Sequence, residues 1–393
     1  MRSICFAFLL QLLFIGAFSQ PGSKARNLKT ITVSGNGYQR GLQHGQQLKK
    51  DIAEVLVLWK DDLQSSMKMP ADSFIQQFMS GTNFLPAIKK YTPDLLEEVK
   101  GIAVGSGQSF NDILAYQLVD EYWVYQDKLS NDPSHHHCSG IGVPAMNGQP
   151  ALIAQNMDLE SWMDGYQVVM HILPNGNTPE QFVFTSAGLI GLNGLNEHGI
   201  GTCVNTLMQL NASGDGLPVA FIIRGILAQK KSKNAVDFVQ HTKHASGQNY
   251  ILGTVDSVYD FEASGSRVVR MQPDLSGAVY HTNHPVVNDD IKSWYTSYYQ
   301  DYLAGKTQND NSELRFAAVK FRVTRADVKD DQLIKSTLRS KDNLENPVCR
   351  AHLPNHAGFT FGSVIYTLSG KLTMQVTAGP PDESEYQSFY FKK

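Results

Sequence analysis

The first part of the chain carries an apolar pattern with helical spacing. From Tyr38 to Leu63 apolar residues recur every three or four positions, which is typical of one buried helix face. This stripe consists of Leu42, Leu48, Ile52, Val55, Leu56, Trp59 and Leu63. Further helices are predicted from 93 to 104 and from 109 to 125, the second with a capping box of Ser109 and Asp112. The pattern therefore predicts a mainly helical segment over 38–130.

After residue 137 the pattern changes to short strands separated by turn signals. The stretch around Asn147-Gly148 predicts a hairpin, and similar pairs of strands surround Asn175-Gly176 and 197–199. The other predicted elements are helices at 218–230, 234–244, 289–303 and 312–326, the last capped by Ser312, and strands at 250–258, 267–271, 278–282, 358–368 and 371–379. Hairpins with helices between them favour an α+β fold of antiparallel sheets with helices packed outside.

The register of the first hairpin brings three polar groups together. If Asn147 and Gly148 are its two turn residues, Cys138 lies opposite Met157, beside Asn156 and Asp158. A thiol, an amide and a carboxylate then meet at one end of the hairpin. Asp158 alone is equally consistent with a turn aspartate.

The N-terminus and the charge balance limit the partners. Arg2 precedes an apolar run from Ile4 to Phe18 that is too short for a membrane span. We expect residues 1–19 to be a signal peptide. The mature chain would be secreted or periplasmic, or lysosomal or extracellular in a eukaryotic host. A formal net charge of -3 gives no reason to expect nucleic acid or an anionic membrane as partner.

Three cysteines follow the signal segment: Cys138, Cys203 and Cys349. An odd number leaves at least one thiol unpaired in an oxidising compartment. Cys203 lies in an apolar, strand-like run and fits a buried, inert residue, and it remains open whether it pairs with Cys349. Cys138 follows a polar segment that ends in His135, His136 and His137. It is therefore the candidate nucleophile.

Several stretches resemble, in order, one enzyme family. They are GYQRGLQHG, PDLLEEVKGIAVGSGQSFNDIL, CSGIG, NGQPALIAQNMD, GLNEHGIGTCVNTL, RGIL, SGQNYILG and HTNH. Together they resemble the penicillin acyltransferase type of N-terminal nucleophile (Ntn) hydrolases, which are related to the choloylglycine hydrolases. The resemblance implies a four-layer αββα sandwich and an inactive precursor that cuts itself between His137 and Cys138. Residues 20–137 would form an α chain, and residues 138–393 the catalytic β chain, in one folded heterodimer.

The resemblance also implies roles for individual residues. Cys138 would attack an amide carbonyl, and its freed α-amino group, which titrates close to working pH, would move the proton. Asp158 matches the carboxylate that holds this amine. Asn205 and Asn283 match the amides of an oxyanion hole. Arg315 matches a buried arginine that tunes the nucleophile.

Two neighbours of Asp158 are expected to contact substrate, Gln155 and Asn156. Bile-salt-type relatives carry an arginine where this chain has Gln155, which favours the acyltransferase-like branch. The expected substrate is a small, non-peptide N-acyl amide, which reacts through a thioester on Cys138. No cofactor and no metal are expected.

Other interpretations remain open at this point. An isolated asparagine is most often a turn or cap residue, and Arg315 alone is consistent with a helix-surface charge. His281 and His284 are candidate ligands for a metal-dependent hydrolase. A third alternative is a noncatalytic binding module that keeps the fold.

Overall fold

The computed structural model describes residue 26 and residues 28–130, 137–304, 311–353 and 357–391, without the side chains of 126–130, 302 and 303. The predicted signal peptide, His135 and His136 lie outside these residues. Among the described residues, no helix has the length and apolar character that a membrane crossing requires.

The segment before Cys138 is helical, as predicted. One strand, β1 (Lys29–Val33), precedes seven helices: α1 (Gly37–Gln47), α2 (Lys49–Met67), α3 (Ala71–Ser80), α4 (Leu85–Tyr91), α5 (Pro93–Ser106), α6 (Phe110–Tyr116) and α7 (Val119–Ser130). The Ser109 hydroxyl accepts a hydrogen bond from the Asp112 amide (3.0 Å), so Ser109 caps α6 as expected. The single helix predicted over 38–63 is wrong, because the chain breaks at Leu48 into α1 and α2.

Helices α1 and α5 pack with their backbones almost in contact. A Cβ atom placed on Gly41 would lie 1.9 Å from the Glu98 carbonyl oxygen, and one placed on Gly101 would lie 2.2 Å from the Tyr38 carbonyl oxygen. Real Cβ atoms do not approach other atoms this closely, so only glycine fits at these positions. The glycines of the GYQRGLQHG stretch therefore set the spacing between these two helices.

The rest of the chain builds two sheets. The strands are β2 (Ser139–Val143), β3 (Leu152–Glu160), β4 (Gln167–Ile172), β5 (Gln181–Ser186), β6 (Asn193–Asn196), β7 (Gly201–Thr206), β8 (Gln248–Gly253), β9 (Val258–Ala263), β10 (Val268–Met271), β11 (Val279–His281), β12 (Gly358–Thr367), β13 (Thr373–Val376) and β14 (Gln387–Tyr390). The eight-stranded sheet has the order β1-β4-β5-β6-β7-β8-β9-β10, and the six-stranded sheet has the order β11-β2-β3-β12-β13-β14. All pairs are antiparallel except β1 with β4.

Five helices complete the described part of the chain: α8 (Val219–Leu227), α9 (Ser232–His241), α10 (Ser293–Leu303), α11 (Asn311–Arg325) and α12 (Asp331–Leu338). Helices α8 and α9 contact the larger sheet, α11 and α12 contact the smaller sheet, and β2 and β3 contact β7 and β8 between the sheets. The layers are therefore helix, sheet, sheet, helix, and the predicted αββα sandwich is confirmed.

The predicted register of the first hairpin is also confirmed. Ser139 pairs with Asn156 and Val143 with Leu152, which continues to Cys138 opposite Met157. The hydrogen-bond ladder of the hairpin is interrupted between Val143 and the isolated bridge at Met146. Pro144 and Pro150 lie beside this interruption. Ser312 does not precede its helix as predicted, since it is the second residue of α11. The sequence pattern gave no separate prediction for the short elements α3, α4, α12, β1 and β14. The strand predicted over 250–258 overlaps β9 only at Val258.

A buried ion cluster ties the helical segment to the sheets. The Glu98 carboxylate on α5 accepts hydrogen bonds from Arg40 Nε (2.9 Å) on α1 and from Arg224 Nη1 (2.7 Å) on α8. Burial alone would raise the pKa of Glu98, but the charges of Arg224 and Arg40 outweigh burial and lower it to about 2. The cluster is therefore ionised, and it joins residues on both sides of Cys138.

Candidate active site

The candidate nucleophile lies at the start of β2. Side chains alternate along a strand, so Cys138 shares a face with Gly140. That face is turned toward the other sheet, because a Cβ atom on Gly140 would lie 3.3 Å from Asn205 Nδ2 on β7. Cys138 is only 6% exposed and lines a cavity of about 30 Å³. The thiol therefore points into an enclosed space between the sheets.

The Cys138 thiol is not ionised by its surroundings in the uncut chain. Burial raises its pKa to about 12, and the Asp158 carboxylate adds to this increase. The thiol donates a long hydrogen bond to the Asp158 backbone carbonyl (4.0 Å). Because the thiolate is the reactive form, this cysteine needs a base close by.

Asp158 lies at the same end of the hairpin, on β3. Its Oδ1 accepts a hydrogen bond from the Thr360 hydroxyl (2.7 Å), whereas its buried Oδ2 has no partner among the described residues. Burial raises the pKa of Asp158 to about 7, although the charges of Arg350 and Arg315 oppose the increase. A buried carboxylate oxygen without a partner is costly, so this site favours a new donor.

Arg315 is completely buried on α11, so the alternative of a helix-surface charge is wrong. Its Nη1 donates to the Cys138 carbonyl oxygen (2.5 Å) and to the Ser139 hydroxyl (3.0 Å). Its Nη2 donates to Asn283 Oδ1 (3.0 Å), and its Nε donates to Asn311 Oδ1 (2.6 Å). One guanidinium therefore fixes the backbone of the nucleophile and the side chain of a predicted oxyanion residue.

Neither of the two predicted oxyanion residues, Asn205 and Asn283, is among the residues that line the cavity, and Asn205 faces Gly140 from the other sheet. Asn283 follows β11, and its Nδ2 donates to the Thr206 carbonyl (3.0 Å) while its backbone amide donates to the Ser312 hydroxyl (2.7 Å). Asn205 Nδ2 donates to Asn249 Oδ1 (3.1 Å). Each side-chain amide has two N–H groups, so each keeps one donor beyond the bond described.

Gln155 and Asn156 do not line the cavity. Gln155 lies between the sheets, where its Nε2 donates to Asn205 Oδ1 (3.1 Å) and its Oε1 accepts from Asn193 (3.1 Å). Asn156 faces the opposite side and donates to the backbone carbonyls of Leu338 (2.7 Å) and Val348 (2.9 Å). Both residues are completely buried. In this structure both amides bond protein groups: Gln155 positions Asn205, and Asn156 holds the segment after α12.

His137 and His281 also have protein partners. His137 Nδ1 lies 2.7 Å from Asn311 Oδ1. His281 contacts Glu262 Oε1 (2.8 Å) and the Thr282 carbonyl (2.9 Å). Within the described ranges, no three His, Cys, Asp or Glu side chains are grouped so that they could hold a metal ion. The histidines therefore give no support to a metal-dependent hydrolase.

Several residues of this region were missed in the sequence. Glu262 on β9 accepts hydrogen bonds from the backbone amides of Val287 (3.1 Å) and Asn288 (2.7 Å), and so anchors the loop that follows Asn283. The other residues that the sequence analysis missed are Asn311, Ser312 and Asp120. They come from distant parts of the chain, and no local spacing connects them to Cys138.

The sequence and the fold were compared with known proteins. The profile of the family described as acyl-coenzyme A:6-aminopenicillanic acid acyl-transferase matches residues 145–383, well over half of the chain. The acyl-coenzyme A:6-aminopenicillanic-acid-acyltransferase 40 kDa form of Emericella nidulans is 24% identical over 259 residues, which are 66% of this chain and 70% of that protein.

Solved structures with partial similarity include three hydrolases. The Caenorhabditis elegans N-acylethanolamine-hydrolyzing acid amidase ortholog has a TM-score of 0.42 at 15% identity, over 65% of this chain and 100% of that one. A variant of conjugated bile acid hydrolase from Clostridium perfringens has 0.41 at 12% identity, over 65% and 98%. Penicillin V acylase from Agrobacterium tumefaciens has 0.38 at 12% identity, over 61% and 83%.

Proposed function

The chain belongs to the acyl-coenzyme A:6-aminopenicillanic acid acyl-transferase family, and on that premise we propose that it is an exported, self-cleaving amidohydrolase or acyltransferase. It acts on a non-peptide N-acyl amide through a thioester on Cys138. One observation carries the proposal: the buried Cys138 thiol lies in an enclosed cavity, beside an Asp158 carboxyl that has one unpartnered oxygen. Burial of both groups suits a site that gains an amino group later.

Self-cleavage creates that amino group. Cys138 Sγ attacks the carbonyl carbon of His137, the C–N bond to Cys138 breaks, and the thiol proton passes to the departing nitrogen. Water then hydrolyses the thioester, which frees the His137 carboxylate and restores the thiol. The new α-amine titrates near pH 8, far closer to neutrality than the buried thiol, and it replaces the missing base.

Turnover repeats this chemistry on a substrate. The α-amine takes the proton of Cys138 while Sγ attacks the amide carbonyl, and it then gives the proton to the leaving amine. Asp158 Oδ2 holds the ammonium form, and Asn205 and Asn283 donate to the oxyanion of the tetrahedral intermediate. Arg315 keeps Cys138 and Asn283 in fixed relation through its two bonds.

The two products of the cut remain one folded unit. Glu98 and Arg40 belong to residues 20–137, whereas Arg224 belongs to residues 138–393. Gly188 N donates to His44 Nε2 (3.1 Å) across the same boundary, and Gln117 Nε2 donates to the Gly188 carbonyl (2.8 Å). Buried polar contacts of this kind keep the two chains together without a covalent link. Export rests on the apolar run after Arg2 and on nothing in the fold.

The test compares two buried cysteines. Purified wild-type protein should separate under denaturing conditions into two chains, and N-terminal sequencing of the larger chain should read Cys-Ser-Gly. Cys138→Ala should remain one chain and hydrolyse no N-acyl amide. Cys203→Ala is the matched control, because Cys203 is equally buried but lies within β7. An active wild-type protein with an intact 137–138 bond would refute the proposal.

A further inference from the structure

The cavity beside Cys138 has an acidic residue that the proposed chemistry does not use. Asp120, the second residue of α7, lines the cavity together with Cys138 and Thr206. Much of the remaining wall is apolar, formed by Leu189, Leu192, Val204, Val219 and Ile223. A partly buried carboxylate on such a wall is expensive unless something neutralises it.

Among the described residues, no charged side chain pairs with Asp120, and its first-turn position in α7 offsets only part of its charge through the helix dipole. The Thr206 hydroxyl (2.6 Å) and Gln248 Nε2 (3.2 Å) both donate to Oδ1, and both are neutral groups. Among the described residues, no ion pair involves Asp120 and no side chain donates to its Oδ2. Asp158, the other acid on this wall, differs because Arg350 and Arg315 act on it. Burial raises the pKa of Asp120 above its usual value, and a bound cation would reverse that cost.

We propose that Asp120 binds a protonated amine carried by the acyl group of the substrate, which makes the substrate a short N-aminoacyl amide. This inference rests on the proposed function, because it assigns the acyl group to the cavity beside the nucleophile. The acyl group stays joined to Sγ until water or an amine accepts it, whereas the leaving amine must depart. An enclosed cavity suits the part that stays. The cavity volume of about 30 Å³ suits a short acyl group that ends in an ammonium better than a long hydrocarbon.

The experiment uses the self-cleaved protein and matched pairs of substrates. The substrates are the 4-nitroanilides of glycine, β-alanine and 4-aminobutyrate, each paired with the neutral acid in which a methyl group replaces the ammonium. Wild-type kcat/KM should favour at least one ammonium substrate over its neutral partner by about 10- to 100-fold, as for a charge-assisted hydrogen bond. Asp120→Asn should bring this ratio close to one, because it lowers kcat/KM far more for the ammonium substrate than for its neutral partner.

Glu121→Gln is the control, because Glu121 is the adjacent buried carboxylate, is not among the cavity-lining residues, and accepts hydrogen bonds from Val219 N (3.0 Å) and the Ser246 hydroxyl (2.8 Å). Glu121→Gln should keep the wild-type ratio of kcat/KM between ammonium and neutral substrates. Asp120→Glu should keep part of this ratio. A wild-type preference for the neutral substrates, or no turnover of either series, overturns the inference. So does an equal loss on both series in Asp120→Asn, which would place Asp120 beside the α-amine. If the Asp120→Asn protein does not accumulate, the inference is tested by the wild-type ratio of kcat/KM between ammonium and neutral substrates. None of these results alters the N-terminal sequence Cys-Ser-Gly, by which the proposed function is judged separately.

Discussion

Two buried charge clusters in this protein differ in how completely they are neutralised. Around Glu98, both carboxylate oxygens accept hydrogen bonds from Arg40 and Arg224, and the pKa falls to about 2 despite burial. Around Asp158, one oxygen bonds Thr360, the other has no partner among the described residues, and burial raises the pKa to about 7. The Glu98 carboxylate has a donor on each oxygen, whereas the Asp158 carboxylate, within the described part of the chain, lacks a donor on Oδ2. The difference separates a structural ion cluster from a site that awaits chemistry.

The first prediction breaks the complete cluster and has the largest expected effect. Glu98→Gln leaves Arg224 buried with a neutral partner and leaves Arg40 to its ion pair with Asp94, so it should lower the free energy of unfolding by about 3–5 kcal/mol. Chemical denaturation measures this loss, and size-exclusion chromatography shows whether the two chains still elute together. Glu97→Gln, one residue away, is the control, since the Glu97 side chain is half-exposed and pairs, among the described residues, with Lys100. Equal stability of the two variants would contradict a structural role for the cluster.

The second prediction concerns the oxyanion donors. Asn283→Ala should lower kcat by about 10²- to 10³-fold, with a much smaller change in KM, because the donor acts on the transition state. Steady-state kinetics on one hydrolysed N-acyl amide measures both constants. Asn288→Ala changes another buried asparagine of the same loop, which donates to the Glu262 carbonyl (3.0 Å). A matching loss of kcat in this control would mean that loop damage, and not a lost donor, explains the result.

The third prediction tests the incomplete cluster. Asp158→Asn should lower kcat by about 10- to 100-fold, since an amide holds an ammonium less strongly than a carboxylate does. In the uncut Cys138→Ala background, which lacks the α-amine, Asp158→Asn should keep or raise the stability at pH 8, because a buried and poorly neutralised charge is removed. Asp260→Asn is a control of similar chemistry on β9, where burial also raises the pKa to about 7. Equal losses of turnover in both variants would remove Asp158 from the mechanism.

The last prediction compares the two clusters by their pH dependence and has the smallest effect. The pKa of Glu98 is lowered from 4.5, so its contribution to stability is full above pH 4.5 and is lost as the pH falls toward 2. The pKa of Asp158 is raised from 3.8, so its contribution is full below pH 3.8 and is lost as the pH rises through about 7. Melting temperatures from pH 3 to 8 should therefore show Glu98→Gln losing most above pH 4.5. In the uncut Cys138→Ala background, Asp158→Asn should gain relative to its parent between pH 4 and 7. If the melting temperatures of both variants changed with pH in the same way, the opposite pKa shifts assigned to Glu98 and Asp158 would be contradicted.

The sequence predicted the parts of the fold that local patterns control. The Asn147-Gly148 turn and the alternation of the flanking strands fix the hairpin register, and that register placed Cys138 beside Asp158. It did not show which face each neighbour takes: Gln155 turns toward the other sheet and Asn156 toward α12. Substrate contact was expected of both because they adjoin Asp158 along the chain.

Contacts between distant segments could not be predicted in this way. Arg40, Glu98 and Arg224 lie in three separate motifs, and the fold alone reveals that they form one cluster. Asp120 likewise reaches the cavity because α7 lies against it, and its sequence neighbourhood is that of an ordinary amphipathic helix. Short edge strands such as β1 and β14 are too brief to give a periodic signal.

The backbone contact between α1 and α5 has a consequence for how such chains are recognised. The glycines that make the GYQRGLQHG stretch distinctive are required by the narrow gap between two helices, and none of them touches the cavity beside Cys138. These glycines therefore serve the packing of α1 against α5, and the structure gives them no contact with the cavity. A glycine signature of this kind reports how two helices assemble, and it carries no information about the chemistry at Cys138.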